Sequence, residues 1–388
     1  MREALSAEDE LCLCLARGEL SPEVRGRALE LVATPLRWDL VLQRAREHQV
    51  LPLIYRSLRL LEFPAVPPGP RARLTQAFRA NALRNEFLSQ ELARVLGLLD
   101  QAHLAVIPLK GVTLAAALYG DAAYRVCADL DILVPADQTL RARRLLLENG
   151  YTSPFTEEYF LEHLFPTGVE CILTPKREVP AFVLEIHWTV LNYSTQDDAA
   201  LQDLWRLAQP GEFLGRRAYS LTPEWLFLYL AGHAAYHKWP LRWLTDLHEL
   251  CLAPQMDWAL VKEKSARFGL DNAVGATLTA CSTLLGTPLP PHLACRPLPP
   301  GVRLFPHAPE PEEEWMTPLF RTRLLARPWD KVRWLAQTLF VPRLTDRLIF
   351  PLPPALSFLY YLLRPLRLTC KGAWLFLRTG LRRLRRGT

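Results

Sequence analysis

The chain has 388 residues, half of them apolar, so it is long enough for two or three domains with substantial hydrophobic cores. Residues 321–388 hold 15 lysines and arginines against two acidic residues, whereas residues 1–320 carry a net charge of −7. Because the main body is mildly acidic, we do not expect a globular domain built chiefly to bind nucleic acid.

The cysteines and the N-terminus bear on the cellular compartment. The eight cysteines are scattered, without a CxxC motif or a Cys/His metal-binding spacing. The sequence opens with the charged residues Arg2 and Glu3 rather than with a secretory signal. These features predict reduced thiols in a cytoplasmic protein.

The hydrophobic pattern divides the chain into five zones. Residues 1–95 have apolar residues at helical spacing and are predicted to form an N-terminal helical region. Residues 96–215 change to short β-branched runs, which predict a small sheet, and residues 216–288 return to helix. Residues 289–320 are rich in proline and are predicted to be a linker. Residues 321–388 form a basic amphipathic tail.

The second zone holds four candidate strands and two helices. A helix is predicted over Val112–Tyr119, and Asp137 is expected to cap a later helix that ends at Gly150. The predicted strands are Leu104–Leu109, Ala128–Val134, Gly168–Thr174 and Ala181–Trp188. Strands and helices in this order, set between helical regions, predict the α+β class.

Acidic residues interrupt two of these apolar strands. Asp129 and Asp131 lie two residues apart, and alternate residues of a strand project to the same face. Glu185 interrupts the last strand, so three carboxylates converge if the two strands pair at about 4.8 Å. Charged groups on a buried sheet need compensation, which a hard divalent cation supplies. This pattern predicts a metal site suited to phosphoryl transfer.

These residues belong to a longer ordered set of motifs that spans roughly residues 35–285. In chain order the motifs are Trp38 to Leu58, Leu109-Lys110-Gly111, Leu118-Tyr119, Arg125, Asp129 to Val134, Glu185 to Trp188, and Arg242 to Leu247. Each motif is weak alone, but their order and spacing together resemble the uncharacterised bacterial nucleotidyltransferase family of the DNA polymerase β-like superfamily.

The resemblance implies a fold and a reaction. The fold is a polymerase β-like nucleotidyltransferase core, a small mixed sheet with helices, flanked by N- and C-terminal helical regions. Asp129, Asp131 and Glu185 would be the catalytic residues and would bind Mg²⁺, with two ions expected. The enzyme would move a nucleoside monophosphate from an NTP to a hydroxyl or phosphate of an unidentified small molecule, peptide or protein.

The predicted nucleotide-binding residues lie around the first strand-to-helix turn. Gly111 allows backbone N–H groups to approach a phosphate at a helix N-terminus, and Lys110 adds a positive charge. Many members of the wider superfamily have Gly-Ser at this turn, whereas here a valine follows the glycine and Thr113 is the candidate hydroxyl. Arg125 either contacts phosphate or forms a salt bridge with Asp129.

Other polar residues have two interpretations each. His187 shares a strand face with the glutamate two residues before it, and either supports a metal ligand, approaches the acceptor, or packs as a hydrogen-bonded histidine. His233 and His237 have zinc-binding spacing but no evident third ligand. With Asp246 they are expected to line the acceptor side of the cleft or to pack. Glu170, on a neighbouring strand, is either a fourth carboxylate of the site or, as we expect, an outward-facing side chain.

The C-terminal tail has three interpretations. The uncharged run Leu348–Leu363 is shorter than the about 20 residues of a membrane span. Residues 364–388 follow it with eight basic and no acidic residues, interleaved with apolar and aromatic ones. This pattern predicts peripheral contact with an anionic membrane at its inner face. The alternatives are an arm that binds RNA or the acceptor, and a helix that packs on the acidic body.

Two other functions stay open beside the transferase. One is a catalytically degenerate nucleotide-binding or interaction module with the same fold; the complete carboxylate set favours activity over this alternative. The other is a nucleotide-sugar glycosyltransferase with an Asp-x-Asp motif. That class needs an extended fold before Asp129, whereas residues 1–95 are predicted to be helical.

Overall fold

The computed structural model describes residues 5–177, 181–190, 198–254, 256–300, 302–305, 317–342 and 344–370. Helices precede the sheet, as the apolar spacing of the first zone predicts. The last of them continues past residue 95, where the sequence suggested a boundary. They are α1 (Ala7–Leu15), α2 (Pro22–Val32), α3 (Trp38–Glu47), α4 (Leu51–Leu60) and α5 (Pro68–Gln101).

A five-stranded mixed sheet follows, with strand order β1-β2-β5-β4-β3. The pair β2 and β5 is parallel and the other neighbouring pairs are antiparallel. The strands are β1 (Ile107–Pro108), β2 (Leu130–Leu133), β3 (Tyr151–Thr152), β4 (Glu170–Pro175) and β5 (Leu184–His187). The helices between them are α6 (Val112–Tyr119), α7 (Thr139–Glu148) and α8 (Glu157–Tyr159), which continues as a π-helical turn (Phe160–Leu164).

The strands are shorter than the apolar runs that predict them. Only Ile107–Pro108 of the first run pairs, and β2 begins after Asp129 rather than before it. The prediction that Asp137 caps a helix is wrong. Asp137 lies in a short 3-10 turn, and Gln138 is the N-cap of α7, although its side chain makes no capping hydrogen bond to that helix. The 3-10 turn moves the helix start past the aspartate.

The second half of the described chain is mostly helical. A β-hairpin that the sequence did not predict separates α9 from α10, because its exposed strands lack apolar alternation. The elements are α9 (Asp198–Leu207), β6 (Gln209–Phe213), β7 (Arg216–Ser220), α10 (Pro223–Tyr236), α11 (Leu241–Leu252), α12 (Trp258–Phe268), α13 (Asp271–Leu285), α14 (Thr317–Leu324), α15 (Pro328–Phe340) and α16 (Leu344–Ile349).

The basic tail is helical where the structure describes it. Residues 360–370 form a helix after α16, whereas the acidic run at 310–314 and residues 371–388 lie outside the described residues. In the described part of the chain, no helix combines the length and the apolar character that crossing a membrane requires.

The two faces of the sheet have different neighbours. One face packs on α5 and α7 through buried apolar residues that include Leu130, Ile132, Leu184 and Ile186. Because side chains alternate along a strand, the residues between them project to the opposite face. That face carries the acidic side chains, and α10 lies across it. The sheet therefore separates a hydrophobic core from a polar cleft.

Candidate active site

A buried lysine joins the two aspartates of the Asp-x-Asp motif. Lys110 Nζ lies 3.2 Å from Asp129 Oδ2 and 3.0 Å from Asp131 Oδ1. Burial by itself lowers the pKa of the Lys110 ammonium, but the charges of Asp131 and Asp129 outweigh burial and raise that pKa. Lys110 is therefore a permanent cation at the floor of the cleft, held by two carboxylates.

The parallel pairing of β2 and β5 places Asp131 directly beside Glu185. His187 joins them from the next outward position of β5, with its Nε2 3.1 Å from Asp131 Oδ1 and 3.5 Å from Glu185 Oε2. Its Nδ1 lies 3.2 Å from Glu170 Oε2 on the adjacent strand. Strand alternation thus brings three acids and one histidine to a single point.

The charges of these groups depend on one another. Burial lowers the pKa of His187, but its hydrogen bonds to Asp131 and Glu185 outweigh burial and raise the pKa to about 9. Burial also raises the pKa of Asp131, yet Lys110 and His187 hold it well below its usual range. Burial and the nearby Asp131 charge raise the pKa of Glu185. At neutral pH, His187 is a second internal cation beside Lys110.

The donor set fits a divalent metal ion. Among the described residues, Asp131, Glu185 and His187 form a group whose potential ligand atoms lie within 4.8 Å of one another. Asp131 Oδ2 is buried and has no hydrogen-bond partner in the protein. A buried carboxylate oxygen without a partner is costly, and coordination of a cation satisfies it. Asp129 lies outside this group but shares Lys110 with Asp131.

A cleft of about 670 Å³ opens over the carboxylates. Its floor includes Lys110, Asp129, Glu185 and His187, and α10 and α11 form one side. The loop before α8 and the π-helical turn form a second side through Phe155, Tyr159 and His163. A third side comes from the C-terminal helices α14 and α15, with Arg321, Arg333 and Trp334. The sequence did not predict that these helices contribute to the site.

The structure places the predicted turn residues beside the floor. Gly111 is the N-cap of α6 with a φ of 74°, a conformation that glycine adopts without strain. The Thr113 hydroxyl donates a hydrogen bond to the carbonyl oxygen of Lys110 at 3.2 Å, so it already has a protein partner. Gly111 and Thr113 are absent from the residues that line the cleft.

Arg125 and Asp246 bind each other rather than lining the cleft. The Nη2 of Arg125 lies 2.9 Å from Asp246 Oδ2, and the Tyr119 hydroxyl donates to Asp246 Oδ1 at 2.8 Å. Both side chains of the ion pair are almost fully buried. The geometry does not bring Arg125 to Asp129 or Asp246 to the acceptor side. Instead the pair connects the loop before β2 to helix α11.

The two helical histidines do face the cleft. The rings of His233 and His237 are 4.7 Å apart, and both pack against Trp243. Burial, with the positive charge of Lys110, lowers the pKa of His237 to about 4 and holds the pKa of His233 well below its usual value. Both imidazoles are therefore neutral at pH 7. In the described residues, no third ligand joins them.

Sequence reasoning missed several residues of the site. The expectation that Glu170 faces outward is wrong, because its Oε2 lies 3.2 Å from His187 Nδ1 and its side chain lines the cleft. The sequence does contain a pattern that identifies the cleft side of α10. Tyrosine and histidine residues recur every three or four positions in a helix that is otherwise mostly apolar. These residues are Tyr229, His233, Tyr236 and His237. No comparable pattern pointed to Arg321 or Trp334.

Comparison with known families identifies the class of protein as nucleotidyltransferase-like. Residues 34–286 match the family described as uncharacterised nucleotidyltransferase, so the chain belongs to that family. A solved structure of an antigenic nucleotidyltransferase-like protein from Paracoccidioides brasiliensis is similar at 14% identity and a TM-score of 0.34. The alignment covers 54% of this chain and 94% of that one. No functionally curated protein matches the chain.

Proposed function

We propose that this protein is a Mg²⁺-dependent nucleotidyltransferase with a polymerase β-like core. It transfers a nucleoside monophosphate from an NTP to a hydroxyl or phosphate of an acceptor. The acceptor oxygen forms a bond to the α-phosphorus, the bond from that phosphorus to the α,β-bridging oxygen breaks, and pyrophosphate leaves while the acceptor loses its proton. The observation that carries the proposal is the pairing of the buried Asp131 with Glu185, which lines the floor of a cleft together with Asp129.

The metal-binding residues follow from the donor set. Asp131 and Glu185 would hold Mg²⁺, with Asp129 and His187 beside them, and two ions are expected. When bound, Mg²⁺ neutralises triphosphate charge and lowers the pKa of the attacking hydroxyl. The partnerless Oδ2 of Asp131 supports this assignment.

The protein's own contribution is positioning and charge. Lys110 lies at the floor, where its ammonium offsets negative charge that develops on the transferred phosphate. Glu170 fixes the ring of His187 through the Nδ1 contact, so the Nε2 stays directed at Asp131 and Glu185. The walls of the cleft would hold the reactants in line. Gly111 at the start of α6 remains the proposed backbone contact to phosphate.

One observation favours the degenerate module as the alternative. Lys110 and His187 already neutralise Asp131 without any bound ion. If the Lys110 ammonium and the His187 imidazolium permanently took the place of the metal ion, the protein would keep its fold but would not turn over a substrate. The two proposals differ in one property: an active enzyme must bind Mg²⁺ at these carboxylates, whereas the degenerate module does not need the ion.

A second proposal concerns the C-terminal segment, which we assign to peripheral contact with an anionic membrane surface. Large apolar side chains there are more than half exposed: Trp329, Phe358, Tyr361, Leu362 and Leu366. Residues 321–388 also carry a net charge of +13. Exposed apolar and aromatic groups beside many cations suit the headgroup region of an anionic bilayer. On this proposal the protein is cytoplasmic and contacts the inner membrane face.

Calorimetry of NTP binding with and without Mg²⁺ tests the main proposal. The protein should bind at least one NTP only when Mg²⁺ is present, and Glu185→Gln should lose that binding. Metal-independent binding that Glu185→Gln retains would support the degenerate module instead.

A further inference from the structure

One wall of the cleft concentrates buried hydrogen-bond donors that have no protein partner. Within the described residues, the buried atoms without a partner include Tyr229 Oη, His233 Nε2, Arg242 Nε, Trp243 Nε1 and Arg321 Nε. All five side chains line the same cleft. We call this set the donor wall; it comes from α10, α11 and α14.

Such a concentration is unusual for a folded protein. At least about 90% of buried polar groups have a hydrogen-bond partner, and partnerless ones are dispersed exceptions. Here five partnerless atoms share one surface. All five can donate a hydrogen bond when His233 carries its proton on Nε2. A surface that can present five donors is complementary to a group whose oxygens accept hydrogen bonds, and a phosphate is the commonest such group in nucleotide chemistry.

Charge agrees with the hydrogen-bond inventory. Arg321 stacks on the ring of Tyr236 with its Cζ 3.6 Å from the ring centroid, which fixes the guanidinium at the cleft. Arg242 Nη1 donates to the carbonyl oxygen of Val126 at 3.2 Å, and its Nε stays free. Burial and the charges of Lys110, Arg321 and Arg242 lower the pKa of His237 to about 4. The donor wall therefore carries the positive charges of Arg242 and Arg321, whereas the floor holds carboxylates together with Lys110 and His187.

We propose that the donor wall binds a phosphate group of a substrate, and that Arg321 is a residue that determines this specificity. The proposal rests on the proposed transferase function and extends it. The phosphate belongs either to the terminal phosphates of the NTP or to a phosphorylated acceptor. Arg321 lies beyond residues 34–286, so this part of the wall is an addition to the family region of the chain.

The first test uses inorganic tripolyphosphate in the presence of EDTA, because this probe needs neither the metal site nor a base pocket. Wild-type protein should bind it, and Arg321→Ala should weaken binding about tenfold or more, as expected for loss of a charged donor. Arg323→Ala is the matched control, since Arg323 lies on the same helix, is exposed, and does not line the cleft. Equal affinities for wild type and Arg321→Ala would overturn the proposal.

Tyr229→Phe is the second variant and guards against a folding defect. It removes one buried hydroxyl that has no protein partner, so the variant should be as thermally stable as wild type or more stable. Its tripolyphosphate affinity should nevertheless fall several-fold. A variant that melts at a lower temperature and binds with unchanged affinity would contradict the donor wall.

A third comparison separates the two sources of phosphate and the two proposals. If Arg321→Ala weakens Mg²⁺-dependent binding of an NTP but not of the corresponding monophosphate, the wall holds the terminal phosphates. If NTP binding is unchanged but binding of inorganic phosphate to the NTP-saturated protein falls, the wall holds the acceptor. Arg321-dependent tripolyphosphate binding without any Mg²⁺-dependent NTP binding would retain the wall and reject the transferase.

Discussion

Asp131 and Glu185 are register partners on the parallel strands β2 and β5, so their side chains leave the sheet next to each other. Along each strand, the residues next to Asp131 and next to Glu185 project to the opposite face of the sheet, where they are buried in the core against α5 and α7. A register shift of one residue would turn Glu185 into that core. The apolar packing of one face therefore fixes the acidic site on the other.

Lys110→Met tests whether the carboxylates require a cation. The substitution removes the buried ammonium and leaves Asp129 and Asp131 without that partner, which should lower the free energy of unfolding by about 3–5 kcal/mol. Added Mg²⁺ should stabilise the variant more than wild type, because the ion supplies the missing charge. Denaturant unfolding with and without Mg²⁺ measures both effects. Lys262→Met, at an exposed position of α12, should show neither; a Mg²⁺ effect that is the same in all three proteins would contradict the site.

Asp246→Asn tests whether the Arg125 ion pair is structural. The variant leaves a buried guanidinium without its carboxylate and should lose about 3–5 kcal/mol of unfolding free energy. The double variant Arg125→Met/Asp246→Leu removes both charges and should be more stable than Asp246→Asn. Urea unfolding of the single and double variants makes the comparison. A double variant that is no more stable than Asp246→Asn would contradict the structural role of the ion pair.

His248 predicts a specific pH dependence of stability. The Nε2 of His248 lies 3.3 Å from the guanidinium of Arg17, which can only donate, so Nε2 must accept this hydrogen bond. The Nδ1 of His248 lies 2.8 Å from the Thr287 hydroxyl. The folded protein therefore holds a neutral imidazole. Burial and Arg17 lower the pKa of His248 to about 4, below the value of about 6.5 in the unfolded chain. Between these pH values the unfolded state binds more protons, so stability decreases as the pH falls.

The matched variant for that prediction is His248→Gln. From pH 7 to pH 5, wild type should lose about 2 kcal/mol more unfolding free energy than the variant. Urea titrations of both proteins at the two pH values give this difference. The prediction fails if both proteins lose the same amount.

Vesicle flotation tests the membrane proposal. Deleting residues 348–388 would also remove Arg364, which pairs with the buried Asp346, so surface substitutions are cleaner than truncation. Phe358→Asp/Leu362→Asp replaces two exposed apolar side chains and should release the protein from anionic vesicles. Leu83→Asp, at an equally exposed position of α5, should float like wild type. Wild-type protein that stays unbound to anionic vesicles would reject the membrane contact.

The sequence predicted the floor of the site better than its walls. Asp131, Glu185 and His187 could be placed because alternation along a strand determines the face of a residue, whatever the rest of the fold. The pairing of Arg125 with Asp246 could not be predicted, since any nearby acid can neutralise a buried arginine. Arg321 was also beyond reach, because helical periodicity identifies an apolar face but not the element that covers it.

The most direct test of the central claim is calorimetry of each NTP with Mg²⁺, on wild type and on Glu185→Gln. Glu185 is preferable to Asp131 for this purpose, because its side chain is 18% exposed whereas Asp131 is fully buried between Lys110 and His187. Wild-type protein should bind at least one NTP in a Mg²⁺-dependent manner. The Mg²⁺-dependent affinity of Glu185→Gln for the NTP should be lower by at least roughly 10–100-fold, which is the loss in affinity that a metal site suffers when a residue supporting a ligand is removed. Equal Mg²⁺-dependent binding by both proteins would contradict the proposed metal site.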